Sequence, residues 1–475
     1  MKSEFSKFLD SQEASCKTLV QQLRQKYDYA SILANDVTGK SFSVSCRDKH
    51  IGDQMYTQRG FVVRVYKEGI YSEYSFNVME AIPVLVQKID ESFEQQKALL
   101  KTLGVEAYPT PLIEEKENEF LVETEVKVPV DKCDPEMIMD KLEATKNKVL
   151  ALSELVIECM VRFSYCHTSK LFISDKKCLK NSYVYSEGMV GALVSRDGNT
   201  QMGHKSYSGL MGLEVLDQID SEVEECVKEG LELLDAPRIE HPGMYDVVVT
   251  EDVAGLIAHE AFGHGVEMDM FVKGRALAQQ YINKPVASEL TDMYDGAKSC
   301  LQTSSYAFDD EGVEGSDTQI IDKGILVSGI NDTLSALRLG VKPTGNGKRQ
   351  SFDHKAYTRM TNTFFGKGTS TLEEMIASID YGFLLEGAHS GMEDPKNWGI
   401  QCMAAKGREI KEGKLTGKVY SPIILTGYVP DLLKSISMVG SEVKTYGTGS
   451  CGKGWKEWVK VSDGGPCFKA KARLG

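Results

Sequence analysis

The sequence contains no stretch of about 18 consecutive apolar residues, which excludes a helix that spans a membrane. Its first residues, MKSEFSKFLDSQEASCKTLVQQL, are charged throughout and lack the apolar centre of a secretion signal. The 11 cysteines are odd in number and scattered, with no Cys-x-x-Cys pair, so no disulfide framework is expected. These absences point to a reducing cytoplasm, with most cysteines serving as small buried hydrophobes. Positive charge is also short. Lys and Arg total 55 against 69 Asp and Glu, a net charge of −14, and such a field repels phosphate. No nucleic-acid partner and no membrane partner are therefore expected.

What is present is a chain of 475 residues, 41% hydrophobic, long enough for two or three domains with ample cores. Helices are expected over residues 10–26, 78–102 (with Asn77 as N-cap), 134–154 and 213–234, where apolar residues recur at helical spacing. Residues 61–66 and 70–76 flank Lys67-Glu68-Gly69 and read as a β-hairpin. Residues 155–207 alternate like antiparallel strands. The segment DAPRIEHPG (235–243) holds two of only 13 prolines and interrupts both patterns, so the domain boundary is placed there. The expectation is an α+β protein: an N-terminal α/β domain (1–235) with helices over a mainly antiparallel sheet, then a β-rich C-terminal domain (236–475).

Chemistry concentrates in IAHEAFGHGVEMDM (257–270). His259 and Glu260, followed by His264, form H-E-x-x-x-H, one residue longer than the H-E-x-x-H pattern of zinc proteases. Thr250 is the expected N-cap of the helix, with Glu251 and Asp252 in its first turn. At about 100° per residue, Glu260 and His264 share the inward face while His259 points roughly 140° away. Two imidazoles placed so cannot share an ion on a straight α-helix. A π-bulge would unite them, and Gly263 and Gly265 beside the second histidine make distortion cheap. A catalytic zinc usually has three protein ligands. The candidate third is Cys451, in the glycine-rich GTGSCGKG (447–454). The match to G-x-G-x-x-G in that segment is not a dinucleotide fingerprint, because too little chain follows for a βαβ unit.

The chain resembles the TldD/PmbA family of zinc-dependent peptidases, in its TldD-like branch. The resemblance rests on HEAFGHGVEMD (259–269), DDEG (309–312), TGNGKRQSFDH (344–354), RMTNTFF (359–365), GAHSGMEDP (387–395), ISMVG (436–440) and GSCGK (449–453), in that order. It implies Zn2+ held by His259, His264 and Cys451, Glu260 as catalytic base, and a strongly curved C-terminal sheet. It also implies short or unfolded peptides as substrates, and a homodimer or a heterodimer with a PmbA/TldE-like subunit. Arg359, Asn362 and His389, carried by the shared motifs, are the expected substrate-binding residues, and Glu267 and Asp269 the expected outer partners of the histidines. Gly454-Trp455-Lys456-Glu457-Trp458 and the KARLG ending depart from the family pattern. Two other functions fit the same residues: a non-catalytic peptide-binding subunit, and a zinc amidohydrolase on non-peptide amides.

Overall fold

A computed structural model describes residues 1–130, 134–454 and 457–475. Trp455 and Lys456, which carry part of the departure from the family pattern, lie outside the described residues. The strands before residue 210 form one eight-stranded sheet. Its centre is the antiparallel set Gln58–Lys67, Tyr29–Ser45, Val156–Ser174 and Lys177–Arg196. Ile70–Phe76, Lys49–Asp53 and Asn199–Gly209 extend it antiparallel, and Asn118–Glu123 adds a parallel edge. The hairpin expected at 67–69 is present, and its turn places Glu68 and Gly69 at φ 53° and 81°. Both central residues at positive φ is the turn geometry that follows the natural twist of paired strands.

Period-2 alternation assigns the two faces of this sheet. Even-numbered residues of the strand Tyr29–Ser45, from Ala30 and Ile32 to Phe42 and Val44, pack against helices. Lys7–Leu23 and Ile82–Leu103 cover one end, and Pro135–Ala151 with the helices after residue 214 covers the other. Odd-numbered Leu33 and Val37 face the opposite way, against Phe308, Tyr306 and Ala297 of the second half. The sheet is thus buried on both faces near its middle. Three helix boundaries differ from expectation. The first helix begins at Lys7, where the Ser6 hydroxyl accepts the Leu9 N–H. The second begins at Ile82 behind Ala81, so Asn77 caps nothing. The fourth is two helices, Val215–Ser221 and Val223–Leu234, broken at Glu222 while keeping Leu216, Ile219, Val223 and Val227 buried.

Beyond residue 243 the chain is mostly strand. Tyr381–Asp394, Gly243–Val249, Phe468–Leu474, Ile423–Tyr428 and Gly399–Lys411 pair in that order, and the last pairs back to the first. The sheet therefore closes on itself, the extreme of the curvature expected. A second sheet brings Asn362–Phe365 beside Ser462–Gly465. The helix Glu251–Ala258 lies between the two sheets, with Val253, Ala254, Ile257 and Ala258 in their common core. Among the described residues, no helix is long and apolar enough to cross a membrane.

The DDEG motif ties the halves together. Asp309 accepts backbone N–H groups from Glu311, Val313 and Gly347, Asp310 pairs with Lys170, and Glu311 pairs with Arg64. Glu73 bridges Arg64, at 2.7 Å, and both terminal nitrogens of Arg349. Burial pushes the Glu73 carboxyl up, but Arg349 and Arg64 outweigh it and hold it well below the usual carboxylate range. A folded-state pKa below the unfolded one, about 4.3, gives stabilisation that is complete above that value and lost as the pH falls toward the folded pKa. Unfolding free energy measured by denaturant titration should therefore fall more steeply below about pH 4 in the wild-type chain than in Glu73→Gln. Parallel slopes for the two proteins would contradict this role.

Candidate metal centre

The helix that starts at Glu251 does not remain an α-helix through the motif. Thr250 stands at its N-cap position, although its hydroxyl donates to the Asp252 carboxylate, at 2.5 Å, instead of capping an N–H. At His259–Gly263 the coil widens into a π-helical turn, and the His264 N–H donates to the His259 carbonyl five residues back. A short 3-10 turn, His264–Val266, follows. Bonding of i to i+5 stacks residues five apart on one side, which α-geometry denies to this pair. The two imidazoles meet edge to face, with ring centres 5.1 Å apart. Gly263 is required at the turn, since a Cβ there would fall 2.1 Å from the Met360 sulfur.

Cys451 arrives from a separate hairpin, Ser450–Lys453 paired with Glu457–Lys460. Its Sγ lies 3.3 Å from His264 Nε2. Ligand atoms of His259, His264 and Cys451 all fall within 4.8 Å of one another, and no other three metal-ligating side chains converge so among the described residues. Tetrahedral zinc with bonds of about 2.0–2.3 Å needs donor separations of roughly 3.3–3.8 Å, so modest closure completes the set. The donors fit such an ion in a second respect. Burial pushes the Cys451 thiol up, but hydrogen bonds to His259 and His264, and their charges, bring it down to about 5. The thiolate is the form that binds metal. Cys467, by contrast, is pushed up to about 12 by burial, and Cys402 further still. His259 Nδ1 is buried without a hydrogen-bond partner, and the Asp463 carboxylate lies 4.0 Å from it.

Supports surround the cluster. Glu267 accepts from His264 Nδ1 at 3.4 Å, long for a hydrogen bond, and pairs with Lys453 at 3.0 Å. Lys453 also donates to Asp269, at 2.8 Å, so Glu267 and Asp269 both anchor the cysteine hairpin, while Glu267 is the one that reaches the histidine. Arg359, 1% exposed, donates to the carbonyls of Cys451 and Glu457 on the two strands of that hairpin. Asn362 is equally buried and bonds to Gly296, Ser305 and Ser462. Both were expected to hold substrate. The hydrogen bonds they make go to the chain itself and brace the hairpin and the sheet beneath it, while Arg359 Nε is buried without a hydrogen-bond partner. His389 is exposed at the bulge of the strand Tyr381–Asp394. Two residues on, Gly391 lies against Glu260, where a Cβ would fall 2.5 Å from Cγ. Burial raises the Glu260 carboxyl above its ordinary value, against the lowering influence of the two histidines.

Sequence reasoning missed Asp463 and Glu393. Asp463 sits 100 positions beyond Thr363, the residue it pairs with, and nothing local marks it as a neighbour of His259. Glu393 stands within a quoted motif, GAHSGMEDP, but its proximity to Gly265, in the turn that follows the π-turn, is purely tertiary.

Residues 242–468 match the model of the PmbA/TldA metallopeptidase C-terminal domain. A protein of Methanothermobacter thermautotrophicus named Metalloprotease is 32% identical over 66% of this chain and 68% of its own length. A metalloprotease of Synechocystis is 26% identical over 95% of this chain and 96% of its own. Among solved structures, TldE from Thermococcus kodakarensis superposes with a TM-score of 0.73 over 96% of this chain and 98% of its own, at 16% identity. A Thermotoga maritima protein reaches 0.77 over 98% of this chain and 100% of its own, at 17% identity. At those identities the structural likeness concerns the fold alone. The sequence relatives and the matched domain establish that this chain belongs to the PmbA/TldD family of metallopeptidases.

Proposed function

We propose that the chain is a zinc-dependent peptidase that hydrolyses short or unfolded polypeptides, with Glu260 as its general base. The observation that carries the reading is the meeting of His259, His264 and Cys451 at the π-turn, with Glu260 next to a ligand and under the strand Tyr381–Asp394. Zinc bound to these three residues would supply Lewis acidity, lowering the pKa of a water and polarising a peptide carbonyl. The chain's own groups do the rest. A Glu260 oxygen accepts a proton from the attacking water and delivers it to the leaving amine, and its raised pKa suits both halves of that transfer. Two neutral imidazoles and one thiolate leave a net charge of +1 with the ion, and the buried setting strengthens every charge interaction within it.

Flexible polypeptides are the proposed substrates because a buried site between sheets admits extended chain more readily than folded surface. The proposed setting is the cytoplasm, where reduced cysteine is available as a ligand. A PmbA/TldE-like subunit is the proposed partner if the chain does not act as a homodimer, in keeping with its structural likeness to TldE.

Purified protein should contain about one zinc per chain, and Cys451→Ser should lose most of it, as read by elemental mass spectrometry. Glu260→Gln should keep the zinc yet hydrolyse unstructured peptides on the order of 10²- to 10⁴-fold more slowly. Wild-type turnover by zinc-loaded Glu260→Gln would remove Glu260 from the reaction, and full activity after chelation and dialysis would remove the metal.

A further inference from the structure

Beside the metal ligands lies a carboxylate that nothing in the chain satisfies. Both oxygens of Glu393 are buried, and neither has a hydrogen-bond partner among the described residues. Buried acceptors without donors cost free energy, and folds retain them where something else supplies the donors. Glu393 lies in the strand Tyr381–Asp394, two residues beyond Gly391, so both occupy one face of the pleat. Gly391 is the residue pressed against Glu260. At Gly265, directly after the ligand His264, a Cβ would fall 2.8 Å from Glu393 Oε1. The carboxylate is therefore seated on the reactive turn, one strand step from the proposed base.

The local charge defines what it waits for. Among the groups whose charges reach Glu393 are His264, Glu260, Glu267 and Asp394, and burial beside these acids pushes its carboxyl well above the ordinary range, a cost that a cation joining it would relieve. Lys453, which pairs with Glu267, is already engaged by that residue and by Asp269. A second metal is not indicated, because only one set of three ligating side chains converges among the described residues. What fits is a cationic donor brought from outside, with several N–H groups for two oxygens.

We infer that Glu393 receives the free α-ammonium of a peptide, so that the site acts from the N-terminal end of its substrate. The inference rests on the peptidase reading and deepens it. Two residues along a strand span about 7 Å. From bond lengths, the first carbonyl carbon of a peptide lies about 2.5 Å from its α-nitrogen. An ammonium on Glu393 thus brings the first or second peptide bond to Glu260. A lysine side chain would bring the same charge on a flexible four-carbon stem, which would not fix the bond presented.

The test uses zinc-loaded Glu260→Gln protein and two peptides, Ala-Leu-Ala-Phe amide and its Nα-acetyl form, with binding measured by calorimetry. The free amine should bind on the order of 10- to 100-fold more tightly, the difference a hydrogen bond to a charged group confers. Adding Glu393→Gln should abolish the preference and leave the zinc content unchanged. Equal binding of both peptides, or a preference that survives Glu393→Gln, overturns the inference. So does equal competition by an acetylated peptide with an internal lysine. If Glu393→Gln does not fold, the comparison of the two peptides on Glu260→Gln still decides. Wild-type turnover separates the two readings: equal hydrolysis of free and acetylated peptides keeps the peptidase and removes the anchor. A binding preference for the free amine without any hydrolysis keeps the anchor and removes the peptidase.

Discussion

One backbone hydrogen bond organises this site: the His264 N–H to the His259 carbonyl, spanning five residues instead of four. With a regular α-helix the two imidazoles would point apart, and the sulfur of Cys451 could reach at most one of them. The wider turn lets both rings and the thiolate converge while leaving Glu260 on the same segment. A π-turn is less favourable than an α-turn, and it persists only when its surroundings fix it. Here those surroundings are a closed sheet on one side and a second sheet on the other, with Gly263 admitting Met360 and Gly265 admitting Glu393.

The rest of the second half can be understood as positioning for a cysteine that lies 187 residues beyond its partner histidine. Arg359 joins the two strands of the Cys451 hairpin from beneath, and Lys453 fastens its tip to Glu267 and Asp269. Tyr56, in the turn between two strands of the first sheet, donates to Ser450 at 2.8 Å, so the N-terminal half also contributes to the placement of the thiolate. This makes the ionic contacts between the halves, Glu73 with Arg349 and Arg64 with Glu311, part of the same construction.

Local pattern made much of this legible. The hairpin around Gly69, the amphipathic helices and the antiparallel strands between residues 155 and 207 follow from spacing and turn chemistry. The distorted motif helix follows from a geometric argument, since two histidines five apart cannot share an ion otherwise. Helix ends were less accessible. Asn77 looks like a cap, yet the chain turns into helix only at Ile82, where Pro83 suits a first turn. The break at Glu222 leaves the apolar stripe intact, so periodicity could not reveal it. Arg359 and Asn362 stand in a motif that reads as substrate-binding, and only packing shows the hydrogen bonds by which they brace the chain. Asp463 and Glu393 reach the site through strand pairing, for which one sequence carries no local signal.

The central claim is the identity of the three ligands on one ion. X-ray absorption spectroscopy at the zinc edge on the purified, zinc-loaded protein measures it directly. The account predicts one sulfur at about 2.3 Å and two imidazole nitrogens at about 2.0–2.1 Å, with the sulfur contribution absent in Cys451→Ser. A spectrum of the wild-type protein without sulfur, or with several sulfurs, would contradict it.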